Sequence, residues 1–236
     1  AFYRASVTVI ALGSLSWLLG LVLGFGLAQA VGSRPFWLRW PARGYIWFFR
    51  SVPLLVLLVF VYNLPQIFPA TGVVLGIPFL AGLVGMVMTE AAYMAEIHRG
   101  GLLSVAKGQR EAAHALGLGW FSTQLRIVLP QAFRIALPSL INEFVTIIKL
   151  TSLVSVISLP ELLLTGQRLY TQNFLILETL LAVAVYYVAI VTVFGALLGA
   201  LERRLDLARR QPDALEDAAL ASLRNAGLRQ PIAMTA

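Results

Sequence analysis

The sequence predicts an all-α, polytopic membrane protein with five transmembrane helices. Three observations carry that prediction. Hydrophobic residues make up 59% of the 236 residues, charged residues only 12%, and mean hydropathy is +0.82. Water-soluble domains carry about 25% charged residues. The apolar residues gather in continuous runs at about 5–31, 45–64, 76–98, 135–158 and 174–201. Each run meets the ~20-residue length of a helix that crosses the hydrocarbon core, and none alternates as a barrel strand would. This composition excludes a water-soluble enzyme, a nucleic-acid-binding domain and a disordered chain.

The first run is far longer than the ~7–15-residue core of a signal peptide. It ends at Gly32-Ser33-Arg34-Pro35, which reads as a membrane interface, and it carries Gly20 and Gly24 at GxxxG spacing. Near the inner boundary, Trp37, Trp40, Tyr45 and Trp47 cluster and read as an aromatic belt. Pro53 and Pro138 are placed near span starts, where proline is tolerated. On the third helix Met86, Glu90 and Tyr93 share a face, with Thr89 at its edge. On the fourth, Asn142, Thr146 and Lys149 share a face, and Glu143 lies about 100° around it. The fifth carries Glu178 and a second GxxxG pair, Gly195 and Gly199. Such pairs let helix backbones approach closely, either within one subunit or between two. The membrane domain is drawn at 1–205. A tail at 206–236, with Asp213, Glu216, Asp217, Arg224 and Arg229, is expected to be a short surface helix or disordered, and no function is assigned to it.

Basic residues set the orientation. Arg34, Arg39, Arg43 and Arg50 lie between runs one and two. Arg99, Lys107, Arg110, Arg126 and Arg134 lie between runs three and four, and Arg203, Arg204, Arg209 and Arg210 follow run five. Segment 65–75 carries no charge, and 159–173 carries only Glu161 and Arg168. The positive-inside rule then puts the N-terminus outside and the C-terminus in the cytoplasm. The net charge of +7 is therefore read as orientation in a membrane, not as affinity for nucleic acid.

The cytoplasmic segment 99–134 is the most informative. A helix is expected from about Lys107 to Leu116, with Ser104 as N-cap. Gly117 and Gly119 then allow a sharp turn. A second short helix is expected from about Trp120 to Leu129, bent or ended by Pro130. The pair would lie along the membrane surface and show Ala112, Ala113, Leu116, Leu118, Trp120 and Phe121 beside charged residues, a surface suited to docking another protein.

These residues carry a resemblance. Glu111-Ala112-Ala113, three residues, Gly117, nine residues, then Ile127-Val128-Leu129-Pro130 resembles the EAA signature of binding-protein-dependent ABC importer permeases. Phe49-Arg50-Ser51-Val52-Pro53-Leu54-Leu55 is similar to the family's FRGTPLL-type element, and Ala92-Tyr93-Met94-Ala95-Glu96-Ile97-His98-Arg99-Gly100-Gly101 to its AYxAExxRGG element. Lys107-Gly108-Gln109, Leu129-Pro130-Gln131-Ala132 and Lys149-Leu150-Thr151-Ser152-Leu153 complete the series. Together they resemble the polar amino acid branch (histidine, glutamate/glutamine, arginine, opine type), over about residues 5–205. The resemblance implies a multi-pass subunit of the bacterial cytoplasmic (inner) membrane. Its loop would seat in a groove of a cytoplasmic ABC ATPase dimer through Glu111, Ala112, Ala113 and Gly117. It implies a second permease subunit, identical or homologous, an extracytoplasmic solute-binding protein and an amino acid substrate, all within membrane lipid. No cofactor is expected on this chain: ATP and Mg belong to the partner ATPase, and Lys107 and Lys149 lack a Walker A setting.

Intramembrane polar groups are the candidates for substrate contact. A charge at mid-span costs ~2.5–3.5 kcal/mol on insertion scales, so Glu90, Asn142, Glu143 and Lys149 should face protein or a water-filled path. Two readings stay open: Glu143 or Glu178 pairs with Lys149 to hold the bundle, or these groups bind an amino acid. Glu90 with Glu143 would favour a cationic one. Cysteine is absent, and His98 and His114 have no second histidine at metal spacing, so neither a catalytic nor a metal site is expected. The alternatives are an ion-coupled secondary carrier, with the carboxylates as ion sites, and an intramembrane hydrolase, for which no HExxH pattern is present.

Overall fold

The computed structural model describes residues 1–225, with side chains through Arg204. It contains α1 (Phe2–Gly32), α2 (Phe36–Ser51), α3 (Leu54–Asn63), α4 (Gly72–Leu75), α5 (Pro78–Leu103), α6 (Lys107–Ala115), α7 (Trp120–Thr123), α8 (Leu129–Leu150), α9 (Leu162–Asn173) and α10 (Ile176–Asn225). No strand occurs among the described residues.

Four helical stretches are long and apolar enough to cross a membrane: Phe2–Gly32, Pro78–Leu103, Trp120–Ile157 and Ile176–Arg204. The second apolar run departs from the expected straight span. It is split into Phe36–Ser51 and Leu54–Gln66, bent by 105°. Pro53 is the cause. It has no N–H to continue the ladder, and its ring drives Val52 to an extended backbone with φ −84° and ψ 127°. Pro53 starts a helix, but in the middle of the run.

The fourth run also differs. Pro130 neither ends nor separates a short helix, because the chain remains helical from Trp120 to Ile157. A π-helical turn at Gln124–Val128 absorbs the misfit, with the Leu129 N–H donating to Gln124 O five residues back. Pro138 sits inside α8, not near its start. A 3-10 stretch, Thr151–Ile157, finishes the helix.

α5 is the axis of the bundle, with α1, α2, α3 and α8 laid against it. Small residues on both partners allow the closest of these contacts. A Cβ on Gly24 would lie 2.9 Å from both Ala91 O and Ala95 N of α5, and one on Gly20 would lie 2.5 Å from Glu90 Cγ. The first GxxxG pair thus closes a contact within the subunit. At Gly195 no described atom comes within 4 Å of such a Cβ. Gly24→Leu should therefore lower the thermal midpoint of the purified protein, since overpacking costs ~1–3 kcal/mol and the obstructing atoms here are the Met94 Cβ and two backbone atoms, none of which can rotate away. Gly26→Leu faces open space and should leave the midpoint unchanged. Equal midpoints for the two variants would refute the contact.

Polar side chains tie the helices where lipid offers no partner. Trp17 donates Nε1–H to Leu140 O at 3.0 Å, Tyr45 donates its hydroxyl to Met88 O at 2.9 Å, and His98 Nε2 lies 3.2 Å from Leu21 O. Tyr45 is thus an internal strut. Trp37, Trp40 and Trp47 remain exposed, as belt residues should. Glu161 is fully buried. Its carboxylate caps α9 by accepting the Leu163 and Leu164 N–H groups at 2.7 Å, and it accepts the Tyr187 hydroxyl of α10 at 2.9 Å.

Contacts divide the chain into a unit Ala1–Ala196 and a second from Leu197. α10 runs to Asn225. The tail side chains Asp213, Glu216, Asp217 and Arg224, and residues 226–236 with Arg229, lie outside the described residues.

Candidate functional site

Two constellations carry chemistry. The first is the loop between α5 and α8. α6 forms over Lys107–Ala115, close to the expected range, but Ser104 does not cap it. Ser104 closes α5 instead, returning its hydroxyl to Gly100 O at 2.9 Å. α6 ends on Gly117, whose φ of +74° is the left-handed conformation glycine adopts without strain. The Gly117 N–H donates to His114 O at 2.9 Å and the Leu118 N–H to Ala113 O at 3.0 Å. These two bonds make a Schellman motif, which satisfies carbonyls at the helix end and sets the exit angle.

The signature residues divide by exposure. Ala113 is 1% exposed and seats the helix on its own subunit, so it is not free for a partner. Glu111, Ala112 and Gly117 face out. Beside them Leu116, Trp120 and Phe121 are exposed, so a polar helix face carries an apolar shoulder. Arg110 points inward and donates to Leu102 O at 3.0 Å.

The second constellation is a cavity of about 510 Å³ opened by the break at Pro53. One wall is the end of α2 and the start of α3, with Arg50, Ser51, Leu54 and Leu55. The other is formed by Met86, Thr89, Glu90 and Tyr93 of α5 and by Glu143, Thr146, Ile147 and Leu150 of α8. The α5 residues recur at i, i+3, i+4 and i+7, one helical face. Glu90 is 3% exposed, and its Oε1 has no hydrogen-bond partner, like Thr89 Oγ1. Gly20 leaves the room that Glu90 occupies.

The cavity gathers only part of the expected set. Glu90 and Glu143 meet there. Asn142 and Lys149 are exposed on α8 and do not line it. No ion pair joins Lys149 to Glu143 or Glu178. Among the described residues the pair is Arg99–Glu96, at 2.7 Å. The sequence placed Arg50 in the orientation pattern and in the FRGTPLL-type element, but not among the candidates for substrate contact. The structure sets its guanidinium over the Tyr93 ring, 5.5 Å from the centroid, at the cavity wall. Its place directly ahead of the Val52-Pro53 break was the available signal.

The described residues thus combine a broken span, an exposed helix with an apolar shoulder and a cavity that gathers Arg50, Glu90 and Glu143. The chain matches the family of the binding-protein-dependent transport system inner membrane component over residues 9–207. The chain belongs to this family. Among relatives of this permease, the probable amino-acid ABC transporter permease YckA of Bacillus subtilis is 39% identical over 194 residues, covering 80% of this chain and 82% of the relative. The octopine transport system permease OccM of Rhizobium radiobacter is 39% identical over 197 residues, covering 81% and 80%. The glutamine transport system permease GlnP of Escherichia coli is 40% identical over 192 residues, covering 80% and 85%. The permease also superposes on a crystal structure of an amino acid ABC transporter with histidines, at TM-score 0.78 and 30% identity, over 86% of this chain and 93% of that one. An inward-facing methionine ABC transporter shares its fold, with TM-score 0.72 at 20% identity.

Proposed function

We propose that this permease is the membrane subunit of an ATP-driven importer of polar amino acids, with cationic ones the best fit. The observation that carries the reading is the outward-facing helix α6, closed by Gly117 and flanked by exposed Leu116, Trp120 and Phe121. It has the form of a ligand for a groove on another protein. The relatives named for amino acids, octopine and glutamine transport support the substrate class.

On this reading a cytoplasmic ABC ATPase dimer holds the loop through Glu111, Ala112 and Gly117, with Ala113 as the seat beneath. ATP and Mg bind the ATPase. A second permease, identical or homologous, completes the pathway, and an extracytoplasmic solute-binding protein delivers substrate. The chain lies in the bacterial inner membrane with its N-terminus outside, its membrane domain at about 1–205 and its tail in the cytoplasm. Closure of the ATPases would shift the bundle between two arrangements that expose the cavity to opposite sides. Glu90 and Glu143 would receive a cationic group there.

The test is reconstitution of the permease with its genomic neighbour ATPase and binding protein in proteoliposomes, measuring uptake of labelled arginine, histidine and glutamine. Uptake should require all components and ATP. Uptake by the permease alone under a proton or sodium gradient would instead establish an ion-coupled carrier.

A further inference from the structure

We propose that Arg50 is a specificity-determining residue: it selects a free carboxylate in the cavity and so sets which way round the substrate sits. The inference deepens the proposed function and rests on the cavity being the substrate site.

Arg50 is the penultimate residue of α2, and the chain breaks one residue later, so its side chain stands at the cavity wall with no following turn to cover it. Tyr93 takes the guanidinium by its face, through a cation–π contact at 5.5 Å. That leaves the N–H edges, the part that grips a carboxylate in two-pronged fashion. The nearby acid that could have occupied them, Glu96, is held by Arg99 at 2.7 Å. Among the described residues Arg50 has no ion pair and no hydrogen bond from its side chain.

The backbone adds to the same wall. α3 begins at Leu54, and Leu54 and Leu55 line the cavity. The first N–H groups of a helix have no partner within it and favour an anion. Broken spanning helices present such ends to anionic substrate groups. The guanidinium and the helix start thus give one wall positive character.

The opposite wall carries two acidic side chains. Glu90, nine-tenths buried and more, and Glu143 of α8 line it, and the buried Oε1 of Glu90 has no hydrogen-bond partner. One guanidinium shares the cavity with two carboxyl groups. The ligand that complements this set has one carboxylate and two cationic groups, which is a dibasic amino acid. Its carboxylate would lie at Arg50 and its two cations at Glu143 and Glu90. The cavity, about 510 Å³, is in the size range of small-molecule sites.

The experiment uses the purified permease–ATPase complex without the external binding protein, so that only the membrane site is read. Two probes are compared by equilibrium binding: L-arginine, and agmatine, which is arginine without its carboxylate. The wild type should bind arginine about tenfold to a hundredfold more tightly than agmatine, the value of a charge-assisted contact. R50Q should bring that ratio close to one. R50K keeps the charge but loses the two-pronged grip, so it should give an intermediate ratio, and it decides the matter if R50Q does not assemble. E90Q and E143Q should weaken both probes and leave the ratio intact. An unchanged ratio in the Arg50 variants overturns the proposal, while weakened binding in E90Q and E143Q would still uphold the cavity as the substrate site. Equal binding of the two probes by the wild type would overturn the role of Arg50 alone, whereas unchanged affinities in E90Q and E143Q, or no binding of either probe, would overturn both.

Discussion

Gly117→Asp is expected to cut uptake by more than tenfold while the subunit still inserts and assembles. The structure separates these two effects. No atom of the described residues lies within 4 Å of where a Cβ would stand, so the new side chain meets none of them. The φ of +74° strains an L-residue by ~1–2 kcal/mol at most, and aspartate tolerates this region better than most. The bundle, held by α1, α5 and α8, does not depend on this turn. A partner groove closing on the exposed Leu116 and Ala112 would, however, bury an unpaired carboxylate, at a cost of ~3–5 kcal/mol. ATP hydrolysis by the complex should continue, uncoupled from transport. Gly117→Asn separates charge from shape: it is isosteric, adopts the left-handed conformation readily, and should retain most uptake. Wild-type uptake by the aspartate variant would remove the docking role from this turn.

Glu90→Gln is expected to weaken binding of a cationic amino acid about tenfold to a hundredfold, the loss of one charge-assisted hydrogen bond. The substitution is isosteric, so the room that Gly20 leaves remains filled. The bundle should be no less stable, because a buried group without a partner is exchanged for an uncharged one. The affinity loss should be larger for arginine than for glutamine, which has no second cation. Binding titrations on the purified complex, with thermal midpoints measured in parallel, read both. Equal affinities for wild type and variant would exclude Glu90 from the site.

The two predictions differ in how far the residues announced themselves. Gly117 was legible because a turn that needs a left-handed residue leaves a glycine at fixed distance from the helix it ends. The Schellman bonds from Gly117 and Leu118 are local, within six residues. The orientation of Ala113 was not legible, since the two alanines of the signature are chemically identical and only packing against the subunit turns one inward. Likewise, Glu90 stood out as a carboxylate in an apolar run, whereas Arg50 looked like one more basic residue in a basic segment. Its role depends on Tyr93, 43 positions later, arriving beneath it.

Helix type and four of the five expected spans follow from lengths of apolar sequence, because lipid allows a backbone no other way to satisfy its polar groups. That solvent constraint acts on each segment separately, so residues 2–32 or 176–204 declare themselves without reference to the rest. The 105° break at Pro53, the unbroken passage through Pro130 and the cavity behind Arg50 are of another kind. A proline only removes one hydrogen bond and one region of backbone space. Whether the chain then bends, as at Val52, or widens into a π turn, as at Gln124–Val128, is set by the helices packed against it. Asn142 and Lys149 fell outside the cavity for the same reason. A helical wheel fixes the angles between side chains on α8, but the position of α5 chooses which angle points in.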